Sequence, residues 1–238
     1  MPTPAAASPW DAAHLSGIAI GGLLAHAIDG VSDAMSVARL TIDILGTAPS
    51  TESTVTVTTR REGNRIKLIE AELSAQGRVS ARATALLVRA IDTPPILAPL
   101  AYEQPEAYPD SSPTGRAVLQ GAFQRRIVYG DIRTPGPGAM WSRTDIAMVA
   151  GVSLSPLVRA TMLGDMGGAI GSALPVKGFT FPNLDIAIHF NRMPRGEWLL
   201  IDALTESAGN GLAIVSSVFS DREGVYGRGH QILFVTPR

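Results

Sequence analysis

Three residues of this chain have types that suit a reaction: Asp165, Asn183 and Gln231. Asp165 lies at helical spacing from Val158, Thr161, Met162 and Ala169, so a helix there would carry a carboxylate in the middle of its apolar face. A charge in that position is costly. Either partners hold it ionised or its pKa rises. A carboxylate beside two amides can hold a water molecule: the aspartate takes a proton, while asparagine and glutamine orient the oxygen and donate to a developing oxyanion. Taken singly, each residue reads as structural, a carboxylate capping a backbone group and two amides at strand ends.

A repeat is what joins them. An apolar, glycine-rich helix followed by amphipathic strands is written once before residue 90 and again after residue 155. Laying Ala38 to Pro49 on Asn183 to Pro194 makes the prolines coincide, and with small slips Gly63-Asn64 meets Gly209-Asn210. In this register Ile20, Ala38 and Thr84 stand where Asp165, Asn183 and Gln231 stand in the second copy. A duplicated unit can keep one copy as scaffold and specialise the other, so the polar set is expected to mark the working copy.

The elements that must position these residues follow from periodicity. His14 to Ala27 is small or aliphatic all round and predicts a buried helix; Gly17, Gly21 and Gly22 permit a close neighbour. Leu40–Leu45, Ser53–Thr59, Arg65–Leu73 and Val79–Val88 alternate with period two and predict antiparallel strands. Six prolines between Thr93 and Pro113 predict a stiff connector. A short helix or strand over Val118 to Ile127 and a turn at Pro135-Gly136-Pro137-Gly138 follow, and Trp141 to Asp145 is read as the first strand of the second unit. Ser155-Pro156 opens a second helix, serine as N-cap and proline at the first helical position, expected to reach about Ala173. Leu184–Phe190, Trp198–Ser207, Leu212–Ser220 and Gln231–Thr236 repeat the strand meander. The expected organisation is α+β, with one unit over 1–92, a connector over 93–116 and a second unit over 117–238.

Bulk properties narrow the function classes. The 238 residues carry a net charge of −1 with 17% charged residues, too weak a field to attract nucleic acid or an anionic membrane. Cysteine is absent, which removes disulfides, thiolate catalysis and sulfur-ligated zinc. The apolar run Gly17–Ala25 is too short to span a bilayer, and the first nine residues lack the basic start of a secretory signal, so a cytoplasmic location is expected.

Competing motifs weigh less. No Gly-x-Ser-x-Gly elbow accompanies the serines and four histidines. His189 and His230 alternate away from Ile188 and Gln231, and His14 and His26 flank the first helix, where local hydrogen bonding is expected. The glycines at 164, 167, 168 and 171 lack the lysine of a phosphate-cradling loop. Arg125, Arg126, Arg192 and Arg195 are the cations that could meet a phosphorylated ligand, with scattered surface arginine as the default. Trp141 and Trp198 are expected in the core between sheet and helix, with Trp10 at its edge.

Several phrases together carry a resemblance: Ala38-Arg39-Leu40-Thr41-Ile42-Asp43-Ile44-Leu45, Arg78 to Leu87, Leu163-Gly164-Asp165, Leu184 to Phe190 and Trp198-Leu199-Leu200. On them the chain, from about Trp10 to Val235, resembles the acyl-CoA thioesterase II family of double hotdog proteins. The resemblance implies two tandem hotdog units, each a long central helix wrapped by an antiparallel sheet. It also implies a hydrolytic water bound in the second unit by a helix aspartate, a strand hydroxyl and a last-strand glutamine. Asp165 and Gln231 match the first and third places, and Asn183 stands where the hydroxyl is usual. A fatty acyl-CoA substrate would place its acyl chain between the units and coenzyme A near the surface. Attack by the activated water would be direct, without covalent intermediate or cofactor, in a homodimer or higher homo-oligomer. Two alternatives remain: a non-catalytic acyl-CoA or lipid-binding protein, in which Asn183 marks lost hydrolysis, and a hydratase or dehydratase, which resembles an Asp-His pair that the second helix lacks.

Overall fold

A computed structural model describes residues 2–32, 35–112, 123–132 and 134–238. Its first helix, α1 (Gly17–Asp29), starts where Ser16 folds its side chain back to accept from the Ala19 N–H at 3.2 Å. Small residues line the face that meets the second helix, and Gly21 lies against the Thr161 methyl. Strands β1 (Ser36–Ile44), β2 (Ser53–Arg61), β3 (Ile66–Ala75) and β4 (Arg78–Val88) form the meander expected from their alternation. Gln76 and Gly77, both at positive φ, make the two-residue turn joining β3 to β4.

The second half adds β5 (Phe123–Asp131), β6 (Thr134–Thr144), α2 (Pro156–Gly164), α3 (Gly167–Ile170), β7 (Phe179–Thr180), β8 (Asp185–Phe190), β9 (Leu199–Ser207), β10 (Leu212–Asp221), β11 (Gly224–Phe234) and β12 (Thr236–Pro237). Ten strands make one antiparallel sheet in the order β2-β3-β4-β1-β8-β11-β10-β9-β6-β5, and β7 pairs with β12 separately. The halves join where β1 meets β8, Leu40 opposite Ile188 and Ile42 opposite Ile186. These four side chains are almost fully buried, beneath helices that pack on each other across the same junction. This is the α+β class, mostly antiparallel sheet with few helices. Among the described residues no helix is long and apolar enough to cross a membrane.

Five expectations need correction. Among the described residues the first strand of the second half is β5, and Trp141 to Thr144 is the end of β6. The second helix stops at Gly164 instead of reaching Ala173, because the carbonyl of Asp165 is taken by side chains and the Ala169 N–H turns to Met166. Pro135 to Gly138 belongs to β6, not to a turn; the prolines precede the stretch that pairs with β9, and Gly138 lets the carbonyl of Ile170 approach. Trp141 is buried on the far side of the sheet, where its indole N–H donates to the Glu103 carbonyl at 3.2 Å. Strand β11 begins at Gly224, seven positions earlier than read, since the short Arg222-Glu223 turn closes directly onto it. Of the segment from Val118 to Ile127, the part before Phe123 lies outside the described residues.

The proline-rich connector is a strap on the outer face of the second half. Val225 N–H donates to the Ala98 carbonyl at 3.1 Å, Tyr102 donates to Asp202 at 2.6 Å, and Arg126 donates to the Tyr108 carbonyl at 2.7 Å.

Candidate active site

The helix break is the centre of the site. Asp165 is the C-terminal cap of α2, and its carboxylate oxygen Oδ1 accepts from Asn183 Nδ2 at 2.8 Å. The same amide nitrogen donates to the Asp165 carbonyl at 3.2 Å, and Gln231 Nε2 reaches that carbonyl at 3.3 Å. Gln231 Nε2 also donates to Asn183 Oδ1 at 3.1 Å. The structure therefore brings all three sequence-selected residues together as a chain of amides ending on a carboxylate. Asn183 arrives by an isolated bridge to Leu233 ahead of β8, and Gln231 faces inward from β11.

Glycines make this contact possible. A Cβ at Gly17 would fall on the Asp165 carboxylate, and a Cβ at Gly167 would fall on Gln231 Oε1. The sequence marks Gly17 as permitting a close neighbour and Gly167 as one of four helix glycines, and the structure shows that the neighbours they admit are the site's own Asp165 and Gln231.

Burial pushes the Asp165 carboxyl up to about 6 from 3.8, against the Asn183 amide and the Ile18 backbone N–H, which both pull it down. The carboxylate is packed by protein yet still borders a cavity of about 460 Å³. Asn183 borders the same cavity, as do Gly17 and Ile18 at the start of α1. Gln231, 2% exposed, stands behind Asn183 and is not part of the lining.

The remaining wall is mostly apolar: Leu15, Ile44, Leu45 and Leu184, with Phe181 meeting Trp10 edge to face at 5.2 Å. His14 also lines it, its Nδ1 2.8 Å from Asp11, so the local hydrogen bond expected for it is present within the cavity rim. His189 and His230 are exposed on the outer face, as expected. Three arginines weighed for phosphate are engaged with protein instead, Arg192 with Asp221, Arg195 with Glu223 and Arg126 with strap carbonyls, and Arg125 is 3% exposed. Among the described residues no group of His, Cys, Asp or Glu is placed to hold a metal ion.

The structure also revises which residues of the two halves correspond. Ser155 caps α2 by accepting from Val158 N–H, as Ser16 caps α1; matching the caps carries Asp165 onto His26, not Ile20. Matching the buried faces sets Leu40 on Ile186. Since Thr41 pairs with Thr84 and Ala187 with His230, Gln231 then meets Ala85 instead of Thr84. Under either register the carboxylate and both amides occur in the second half alone.

Comparison with known proteins follows the same lines. Residues 6–88 match the acyl-CoA thioesterase N-terminal domain, and residues 101–235 match the acyl-CoA thioesterase C-terminal domain. A search of curated proteins finds no significant match. Among solved structures, the tesB protein of Mycobacterium avium subspecies paratuberculosis is 18% identical over 100% of this chain and 91% of its own, with a TM-score of 0.72. The acyl-CoA thioesterase II TesB2 of Mycobacterium marinum is 19% identical over 93% of this chain and 91% of its own, at 0.73. A protein from Alicyclobacillus acidocaldarius described as having a hot dog fold is 12% identical over 98% of this chain and 90% of its own, at 0.78. Identities this low speak for the fold.

Proposed function

The chain belongs to the acyl-CoA thioesterase family, and from that premise we propose that it hydrolyses a fatty acyl-CoA to the free acid and coenzyme A at Asp165. The observation that carries this reading is a carboxylate with a pKa raised by burial to about 6, bordering an apolar cavity and held by an amide chain. Such a group is ionised at neutral pH yet basic enough to take a proton from water. In the proposed reaction the water held by Asp165 and Asn183 attacks the thioester carbonyl and gives its proton to Asp165. The carbon–sulfur bond then breaks, and the thiolate leaves and recovers that proton. Gln231 acts through Asn183, fixing the amide that faces the water. The N-terminus of α1, with Gly17 and Ile18 on the cavity wall, turns its positive end toward the Asp165 carboxylate, which accepts from the Ile18 N–H and is favoured in its ionised form there.

The architecture read here is a double hotdog, with units over 1–92 and 117–238 and the connector over 93–116. Support comes from one capped helix packed on the sheet in each half, and from the strap course of residues 98–112. A homo-oligomer is part of the same reading. Leu204, Leu212, Ile214 and Phe234, each more than two-fifths exposed on the outer face of β9, β10 and β11, suit association with a second copy.

A second reading, an acyl-CoA binder without turnover, is favoured by one feature. Asn183 Nδ2 occupies a lone pair of the Asp165 carboxylate that would otherwise be available to water. Thiol release from short to long acyl-CoAs decides between the two. A hydrolase turns over, and Asp165→Ala and Gln231→Ala abolish or sharply reduce the rate with folding intact. Retention of intact acyl-CoA by the unaltered protein would establish the binder.

A further inference from the structure

We propose that Ser217 is a positioning residue for this site, its hydroxyl donating to Gln231 Oε1 and so reinforcing the way round in which both amides of the chain stand. The kinetic part of this inference rests on the hydrolase reading.

Ser217 faces inward from β10, two residues along from Val215, which pairs with Gln231 across the ladder. The two side chains are therefore diagonal neighbours on one face of the sheet. Both are buried, Ser217 at 6% exposure and Gln231 at 2%. Among the described residues, Ser217 Oγ and Gln231 Oε1 are each buried without a hydrogen-bond partner. They border one small space: a Cβ built on Gly167 would overlap Gln231 Oε1 and come within 2.9 Å of Ser217 Oγ. A buried acceptor without a donor is costly, and so is a buried hydroxyl without an acceptor. A rotation of the serine about χ1, or one shared water, satisfies both at once.

The consequence reaches Asp165. An amide offers one oxygen and one NH2 group, so its two orientations are not equivalent. With a donor at Gln231 Oε1, the NH2 end must point to Asn183 Oδ1, as it does at 3.1 Å. The Asn183 NH2 is then directed to the Asp165 carboxylate. Without Ser217 the orientation of the glutamine rests on its Nε2 contacts alone, at 3.3 Å to the Asp165 carbonyl and 3.1 Å to Asn183 Oδ1, while its oxygen keeps no donor and the amide is held more loosely. Asn183 keeps its Nδ2 contacts with Asp165 but is no longer firmly backed at Oδ1, which weakens the amide donor that favours the ionised carboxylate. Ser217 thus reinforces the amide orientation that keeps Asp165 basic but ionised.

The test measures thiol release against pH for the unaltered protein, Ser217→Ala and Ser217→Thr, with hydrogen exchange of the Gln231 side-chain amide followed by 15N NMR. Expected for Ser217→Ala is a kcat lower by roughly tenfold, the equivalent of one hydrogen bond. KM stays within about twofold, since uniform binding is untouched. The rising limb of the pH profile moves to higher pH, and the Gln231 amide exchanges faster. Ser217→Thr, which keeps the hydroxyl, restores the rate, the limb and the protection. Unchanged rate, limb and exchange in Ser217→Ala would overturn the proposal. So would equal losses in the alanine and threonine variants with the limb unmoved, because that pattern is packing alone. Should the unaltered protein show no turnover, the hydrolase reading falls while the exchange comparison still decides the role of Ser217.

Discussion

Asp165 sits where an ionised carboxylate is expensive, and that cost makes both activity and stability depend on pH. Its pKa in the folded chain is about 6, above the ordinary 3.8. The folded state therefore favours the protonated form; the stabilisation is fully present below pH 4 and disappears as pH rises through 6. At pH 8 the charged side chain costs about 3 kcal/mol at the outside. Asp165→Asn removes the charge, so its Tm should match that of the unaltered protein near pH 4. At pH 8 it should stand several degrees higher, by about 2–4 °C per kcal/mol for a chain of this size. Paired thermal melts at the two pH values measure this, and an equal offset at both would show that charge burial is not the cause. The same group should give kcat/KM a rising limb centred near pH 6 instead of near 4, read from thiol release between pH 4.5 and 8. Asp165 was legible in the sequence because a carboxylate on an apolar stripe breaks the pattern around it. Its counterpart in the first half was not: sliding strands against strands misplaced the helices, whose relation is fixed by the caps Ser16 and Ser155.

Among the elements, the β10–β11 hairpin shows how a buried charge is held without becoming a site. Asp221 is fully buried at the end of β10, and Arg192 Nη2 reaches it at 2.7 Å. Burial pushes this carboxyl up, but Arg192 and the backbone N–H groups of Arg195 and Glu223 outweigh it, so the net shift is downward. That pair anchors the loop after β8 to the hairpin and takes Arg192 away from any ligand. Arg192→Met leaves an uncompensated carboxylate and should destabilise the chain by roughly 3–5 kcal/mol. Removing both charges, by Arg192→Met with Asp221→Leu, should recover much of that loss. Urea unfolding of the single and double variants tests this, and additive losses would contradict it. Strand alternation made β2, β3, β4 and β10 readable within two residues, because each alternates a wet face with a buried one or, in β2, a half-buried one. The α2–α3 break was hidden, since it depends on Asn183 and Gln231 capturing a carbonyl from strands far along the chain. The strap was legible as stiff but not as docked, because its partners Asp202 and Val225 lie some hundred positions away.

At the scale of the whole molecule, neither half has a complete structure or a complete site. Pairing of β1 with β8 makes one continuous sheet, and separating the halves would open two long strand edges lined by Leu40, Ile42, Ile186 and Ile188. It would also part α1 from α2, whose contact depends on Gly21 lying against Thr161. The cavity is shared in the same way, with Gly17 and Ile18 from one half and Asp165 and Asn183 from the other. Halves that bury Leu40, Ile42, Ile186 and Ile188 along a shared seam are expected to unfold together. Calorimetry should therefore show one transition with equal calorimetric and van't Hoff enthalpies. Residues 1–112 and 123–238, produced separately, should each lack a cooperative melt and release no thiol from acyl-CoA. Two resolved transitions in the intact chain, or a fragment that melts sharply alone, would mean that the β1–β8 seam is an interface between self-sufficient domains. In that case the contact of α1 with Asp165 would be adjustable, and the pKa of the carboxylate would change with the state of the first half.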